Sequence, residues 1–148
     1  MLTRIQTWFE NIFDTANGPS RRPILNNNLE SHIKGLFVVG DLAGAPVIKL
    51  AMEQGYQVAK HISSLKKNKE SQQGIYDIIV IGAGAAVLNA ALSALDQGLS
   101  CIVLEKEKIA NTIENFPEGT WVYAEPDSVS AKGKLWLDGR NANQGPEA

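Results

Sequence analysis

The chain has 148 residues, 44% of them hydrophobic, which is enough for one domain with a real core and too short for two full nucleotide-binding domains. Its net charge is −2 with acids and bases interspersed, so no basic field is present to hold nucleic acid. The single cysteine, Cys101, excludes an internal disulfide or dithiol centre, and the isolated His32 and His61 have no metal-ligand spacing, so no metal is expected.

Leu2, Ile5, Trp8, Phe9, Ile12 and Phe13 recur at helical spacing among Arg4, Gln6, Glu10 and Asn11, and predict an amphipathic helix over residues 1–16. Its aromatic stripe suits a core or a subunit interface. The polar face lacks the Lys/Arg excess of an interfacial helix, so no membrane contact is expected. Glu10 and Asp14 interrupt any signal-peptide core, and no apolar run approaches the roughly 20 residues that span a bilayer. A cytoplasmic location is the expectation. Asn17-Gly18-Pro19-Ser20 then breaks the helix, and Arg21 to Ile33 is polar around the short extended pair Ile24-Leu25. It reads as a solvated loop, with phosphate contact as the alternative for Arg21 and Arg22.

Gly35-Leu36-Phe37-Val38-Val39-Gly40-Asp41 predicts a buried strand ending in Gly-Asp, and Pro46 marks the start of a helix. Ile48, Ala51, Met52, Val58, Ala59, Ile62 and Leu65 repeat at three and four residues along that helix. Gly55 falls on the same face, where the missing side chain predicts close approach to a sheet. Strand and helix occupy residues 35–65, and the charged, aperiodic stretch over 66–74 reads as an exposed linker.

The unit over residues 75–139 carries the chemistry. Ile78 to Ile81 is an uninterrupted β-branched run, expected to be buried on both faces, and Gly82-Ala83-Gly84 separates it from an alanine-rich helix. Gly82 permits the tight turn, Gly84 lets backbone approach a pyrophosphate, and the N–H groups of Ala85 and Ala86 meet it at the positive end of the helix. A second run, Ser100 to Leu104, ends in Glu105, placed to accept from ribose hydroxyls. The alternative is an ordinary βαβ unit whose glycines only make a turn. Val87 strengthens that alternative, because it stands where a third glycine normally allows close helix-to-strand packing, so overpacking and a tilted helix are expected there. Cys101, within an apolar strand, is expected to pack and not to react. Trp121-Val122-Tyr123 and Lys134 to Gly139 are two further short strand candidates, and residues 140–148 read as a disordered tail.

Three of these motifs together resemble the thioredoxin-reductase-like, FAD-dependent pyridine nucleotide-disulfide oxidoreductases. Gly35 to Asp41 with the helix through Gly55 is similar to that family's C-terminal flavin motif, Tyr76 to Val87 to its N-terminal FAD fingerprint, and Thr112-Ile113-Glu114-Asn115-Phe116-Pro117 to its Glu-Asn-aromatic-Pro segment. The order is inverted, tail motif before head motif, so the chain resembles a circular permutation or an excerpt of a longer fusion. The resemblance implies that Asp41 bonds the FAD ribityl or pyrophosphate region, that Asn115 approaches the cofactor, and that Lys49 stands near the flavin. A helix cap remains the alternative for Asp41, and solvent for Lys49.

The expected fold is α/β: a Rossmann-like parallel sheet of about three strands ordered 35–40, 77–81, 100–105, with helices mainly on one face and the N-terminal helix added. The leading expectation is an FAD-binding module of a flavin-dependent oxidoreductase whose redox chemistry needs a further segment or subunit. No second fingerprint for a nicotinamide domain and no redox cysteine pair are present in these residues, so whether the chain alone is an enzyme stays open. A non-catalytic interaction or regulatory domain that has lost flavin, and a small NAD(P)-binding protein, are the alternatives. Self-association or a partner subunit is expected, because the aromatic stripe and one sheet face exceed what so short a chain buries easily.

Overall fold

The structure is a computed structural model, and it describes residues 22–66, 74–120 and 132–135. The predicted N-terminal helix, the interior of the linker, the strand candidate at 121–123, most of that at 134–139 and the tail lie outside the described residues.

At the centre, β1 (Ile78–Ile81) runs parallel to β2 (Cys101–Leu104), with Ile78 opposite Cys101 and Ile81 opposite Leu104. The crossover between them is α2 (Ala85–Asp96), as the strand, turn and helix pattern predicts. Gly82 adopts φ 96, which ends β1 sharply, and its N–H still reaches the Leu104 carbonyl at 2.8 Å. Gly98, at φ 74, closes α2 while Leu99 N–H returns to the Ala94 carbonyl at 2.9 Å. The α/β class stands as expected.

The helix α1 (Ile48–Lys66) begins two residues after Pro46 and buries Ala51, Met52, Gly55, Val58 and Ala59. Its apolar face packs along α2 and not, as Gly55 suggested, on the sheet. A Cβ built on Gly55 would stand 2.0 Å from the Ala86 carbonyl oxygen and 3.0 Å from the Ala90 nitrogen, so the two helix backbones touch there. Small residues set this spacing at both ends. Ala45, Ala51 and Ala86 cluster on one side of the glycine contact, and Ala59, Ala94 and Leu99 on the other. Leu65, predicted for the packed face, is exposed because it lies past the last of these contacts.

The predicted strand over residues 35–40 is corrected by the structure: the sheet has two strands among the described residues. Phe37 instead makes an antiparallel bridge to Glu30, with Ser31 N–H to Leu36 O at 2.8 Å and Val38 N–H to Leu29 O at 3.0 Å. The physical reason is local. Gly35 and Gly40, at φ 82 and 80, turn the chain at both ends of the apolar run, so its backbone groups bond the preceding loop and not the edge of β1. Asn26 completes that loop, its Oδ1 accepting from the N–H groups of Asn28 and Glu30.

The apolar strands are covered on one face. Val80 is buried and Ile78 packs beside Ala94 and Leu99, whereas Ile79 and Ile81 are 62% and 69% exposed, against the expectation of burial on both faces. Alternation along the strand puts these two on the side opposite α2.

The ends of the linker are tied together beneath this sheet. Asp77, just before β1, accepts from Lys66 Nζ at the end of α1 and from the N–H and hydroxyl of Ser100, both at 2.8 Å. These partners, the lysine first, hold the Asp77 carboxyl down at about 2. A folded-state value below the unfolded one contributes stability above the ordinary carboxylate range, lost as pH falls through the folded value. Thermal melts of the parent should therefore drop between about pH 4 and pH 2, and Asp77→Asn should start lower at neutral pH and lose less over that window. Parallel pH profiles for the two would count against this clamp.

Candidate functional site

The turn Gly82-Ala83-Gly84 opens the site. Gly84 is the N-cap of α2 with extended backbone (φ −77, ψ 174), no side chain caps the helix, and its first internal bond is Leu88 N–H to Gly84 O at 3.0 Å. The N–H groups of Ala85, Ala86 and Val87 precede that bond and are the helix's donors for an anion. A Cβ on Gly84 would meet nothing within 4 Å, so the approach to this backbone is open. Ala85 is half-buried and Ala86 buried, the latter facing α1.

Glu105 follows β2 and lies beside the same turn. Its Oε1 accepts from Lys106 N–H at 2.7 Å and Glu107 N–H at 2.9 Å, which fixes the carboxylate. The Glu107 N–H foremost, with those of Lys106 and Ala83 and the Lys106 charge, holds its carboxyl below the ordinary carboxylate range despite the opposing pull of desolvation. The carboxylate is thus ionised and oriented next to the glycine turn. The chain then doubles back, and Ala110 N–H donates to the Ala83 carbonyl at 2.9 Å. Ala110 sits in the left-handed region at φ 55, where α3 (Asn111–Glu114) begins.

The Gly-Asp motif reaches this turn from the other half of the chain. A Cβ on Gly40 would stand 3.2 Å from the Ala86 Cβ, in the first turn of α2, and Gly40 N–H is held by Gln54 Oε1 of α1 at 2.8 Å. Asp41 opens the following 3-10 turn, Asp41–Ala43, and is exposed; its carboxylate does not cap that turn. Motifs in inverted order along the sequence therefore meet at one helix start.

The other resemblance-derived residues are placed less directly. Asn115 ends α3, exposed, with Nδ2 donating to Asn111 O at 2.7 Å and Asn111 Oδ1 at 2.8 Å. Lys49 lies half-buried in the first turn of α1. Val87 is half-buried, and its Cγ2 lies at ordinary contact distance, 3.9 Å, from a Cβ built on Gly82. The close backbone approach of α2 falls against Gly55 on α1. Cys101 packs as expected, its Sγ 3.7 Å from the Ala91 carbonyl and its thiol pushed up by burial.

Sequence reasoning missed Asn89. It is fully buried in α2, donates to the Met52 and Lys132 carbonyls at 2.8 Å each, and accepts from Leu135 N–H at 3.2 Å. A polar residue on the apolar face of the α2 helix was the available signal. Gly133 lies directly over it, where a Cβ would come 2.3 Å from Asn89 Oδ1.

Residues 77–133 match the family model of the FAD binding domain. The matched span runs from the start of β1 through the glycine turn, Glu105 and Asn115 to Gly133, and it indicates FAD as the cofactor. It is a different family from the thioredoxin-reductase-like one that the motifs resemble, within the same broad class of FAD-binding oxidoreductases. No curated protein and no solved structure matches the chain. Among the described residues no helix is long and apolar enough to cross a membrane, and no cluster of side chains could hold a metal ion.

Proposed function

We propose that this chain is the cofactor-holding part of a flavin-dependent oxidoreductase of the thioredoxin-reductase-like kind, with electrons delivered by a further segment or subunit. The observation that carries this reading is the approach of Gly40 to Ala86, which brings the Gly-Asp motif to the turn that the FAD binding domain match covers. In this reading the diphosphate lies against the N–H groups of Ala85 and Ala86, with Gly82 and Gly84 leaving it room. Glu105 accepts from the adenosine ribose. Asp41 takes the ribityl side, while Asn115 and Lys49 lie toward the flavin. FAD when bound supplies the redox chemistry, and these residues bind and orient it.

The test begins with colour. Protein purified with FAD should absorb in the visible, whereas bound NAD(P) would not, and a colourless protein that takes up no FAD would end this reading. Glu105→Ala should weaken FAD binding by about tenfold or more, the usual loss for a charge-assisted hydrogen bond. Unchanged affinity in a fluorescence titration would remove Glu105 from the site.

Self-association or pairing with a partner belongs to the same proposal. Ile79, Ile81 and Leu104 leave an apolar sheet face exposed among the described residues, and such faces are normally covered in the working protein. Light scattering at micromolar concentration should give a mass above one chain. A clean single-chain mass, unchanged by candidate electron-donor proteins, would contradict it.

A further inference from the structure

We propose that Arg22 supplies the counter-charge for the dinucleotide's diphosphate at the start of α2, an inference that rests on the FAD reading above. The 3-10 turn that begins at Asp41 ends at Gly44, at φ 85, and the Arg22 guanidinium lies across that glycine: a Cβ there would stand 2.8 Å from Nη1 and 3.7 Å from Cζ. Gly44 thus serves both the backbone turn and the seat of the arginine. The same turn is closed onto the site, since Ala45 N–H donates to Gly40 O at 3.0 Å, Ala45 clusters with Ala86, and Gly40 abuts Ala86. The guanidinium therefore lies on the turn that carries Gly40 against the start of α2.

The charge balance of the site calls for a cation at this place. A diphosphate brings two negative charges, Asp41 adds a third on the same turn, and a helix start offers only about half a positive charge in return. Lys49 lies on α1, and the other cations described near the glycine turn, Lys106 and Lys108, are engaged with Glu107 and Glu114. No hydrogen bond or ion pair engages the Arg22 guanidinium among the described residues. Its planar fork of donors matches two phosphate oxygens at once, and its long stem lets the head move the short distance from Gly44.

The experiment titrates the parent, Arg22→Gln and Arg22→Lys with three probes: FAD, ADP, which keeps the diphosphate and adenosine, and riboflavin, which has no phosphate. Arg22→Gln should bind FAD and ADP about tenfold more weakly at low ionic strength, with the gap narrowing as salt screens the charge. Arg22→Lys should recover part of the loss, and riboflavin should bind all three proteins alike. Circular dichroism should be unchanged, because Arg22 is exposed. Equal ADP and FAD affinities for the parent and Arg22→Gln would overturn the assignment, as would an equal loss for riboflavin, which would mark a structural effect. Should the parent take up ADP and no flavin, with Arg22→Gln weakening ADP, the FAD reading fails while the diphosphate role of Arg22 stands. A parent that binds none of the three overturns both.

Discussion

Gly55→Ala should separate α1 from α2 and lower both stability and cofactor affinity. The added methyl would meet the Ala86 carbonyl oxygen at 2.0 Å, a distance no Cβ tolerates, and the obstacle is backbone, so it cannot rotate away. Overpacking of this severity lies at the upper end of the usual range, about 3 kcal/mol, and alanine's better helix propensity offsets roughly 1 kcal/mol of it. A net loss of about 2 kcal/mol should appear as a lower denaturant midpoint with an unchanged slope. Affinity falls with it, because α1 also carries Gln54, which holds Gly40 against Ala86. An alanine variant as stable as the parent would mean that the helices stand further apart than the structure places them.

Asn89→Asp is expected to cost more than its single-atom change suggests. The amide donates to two carbonyls, Met52 O and Lys132 O, and a carboxylate can donate to neither while adding a charge at a site with no solvent exposure. Leaving the buried Met52 carbonyl unpaired costs about 1–3 kcal/mol and the buried charge adds to it, so a destabilisation of about 3 kcal/mol is expected at neutral pH. The effect has a local signature as well. A carboxylate still accepts from Leu135 N–H but loses the bond to Lys132 O and repels that carbonyl, so release of residues 132–135 from α2 should speed hydrogen exchange at Leu135. Asn89→Asp with parental stability and slow exchange at Leu135 would show that the 132–135 segment is held by Lys132 to Glu53 and Lys134 to Asp96 instead.

What the sequence by itself determined was everything whose signal is local. The β-branched run Ile78–Ile81, the glycines at 82 and 84, the alanine-rich helix and the acid at 105 each state their conformation within a few residues, and each stands where the pattern puts it. The tertiary structure decided which surfaces those elements present to one another. Phe37 and Val38 look like a sheet strand, yet their backbone groups close on Leu29 and Glu30, because a nearby turn is available before a distant strand edge. Gly55 announces a close approach without saying to what, since a missing side chain suits a helix as well as a sheet. Val87 breaks the fingerprint, yet its Cγ2 stands at ordinary contact distance, 3.9 Å, from a Cβ built on Gly82. The meeting of Gly40 with Ala86 depends on how α1 lies along α2, a sum of many weak contacts between residues far apart in the chain, and no spacing along the sequence encodes it.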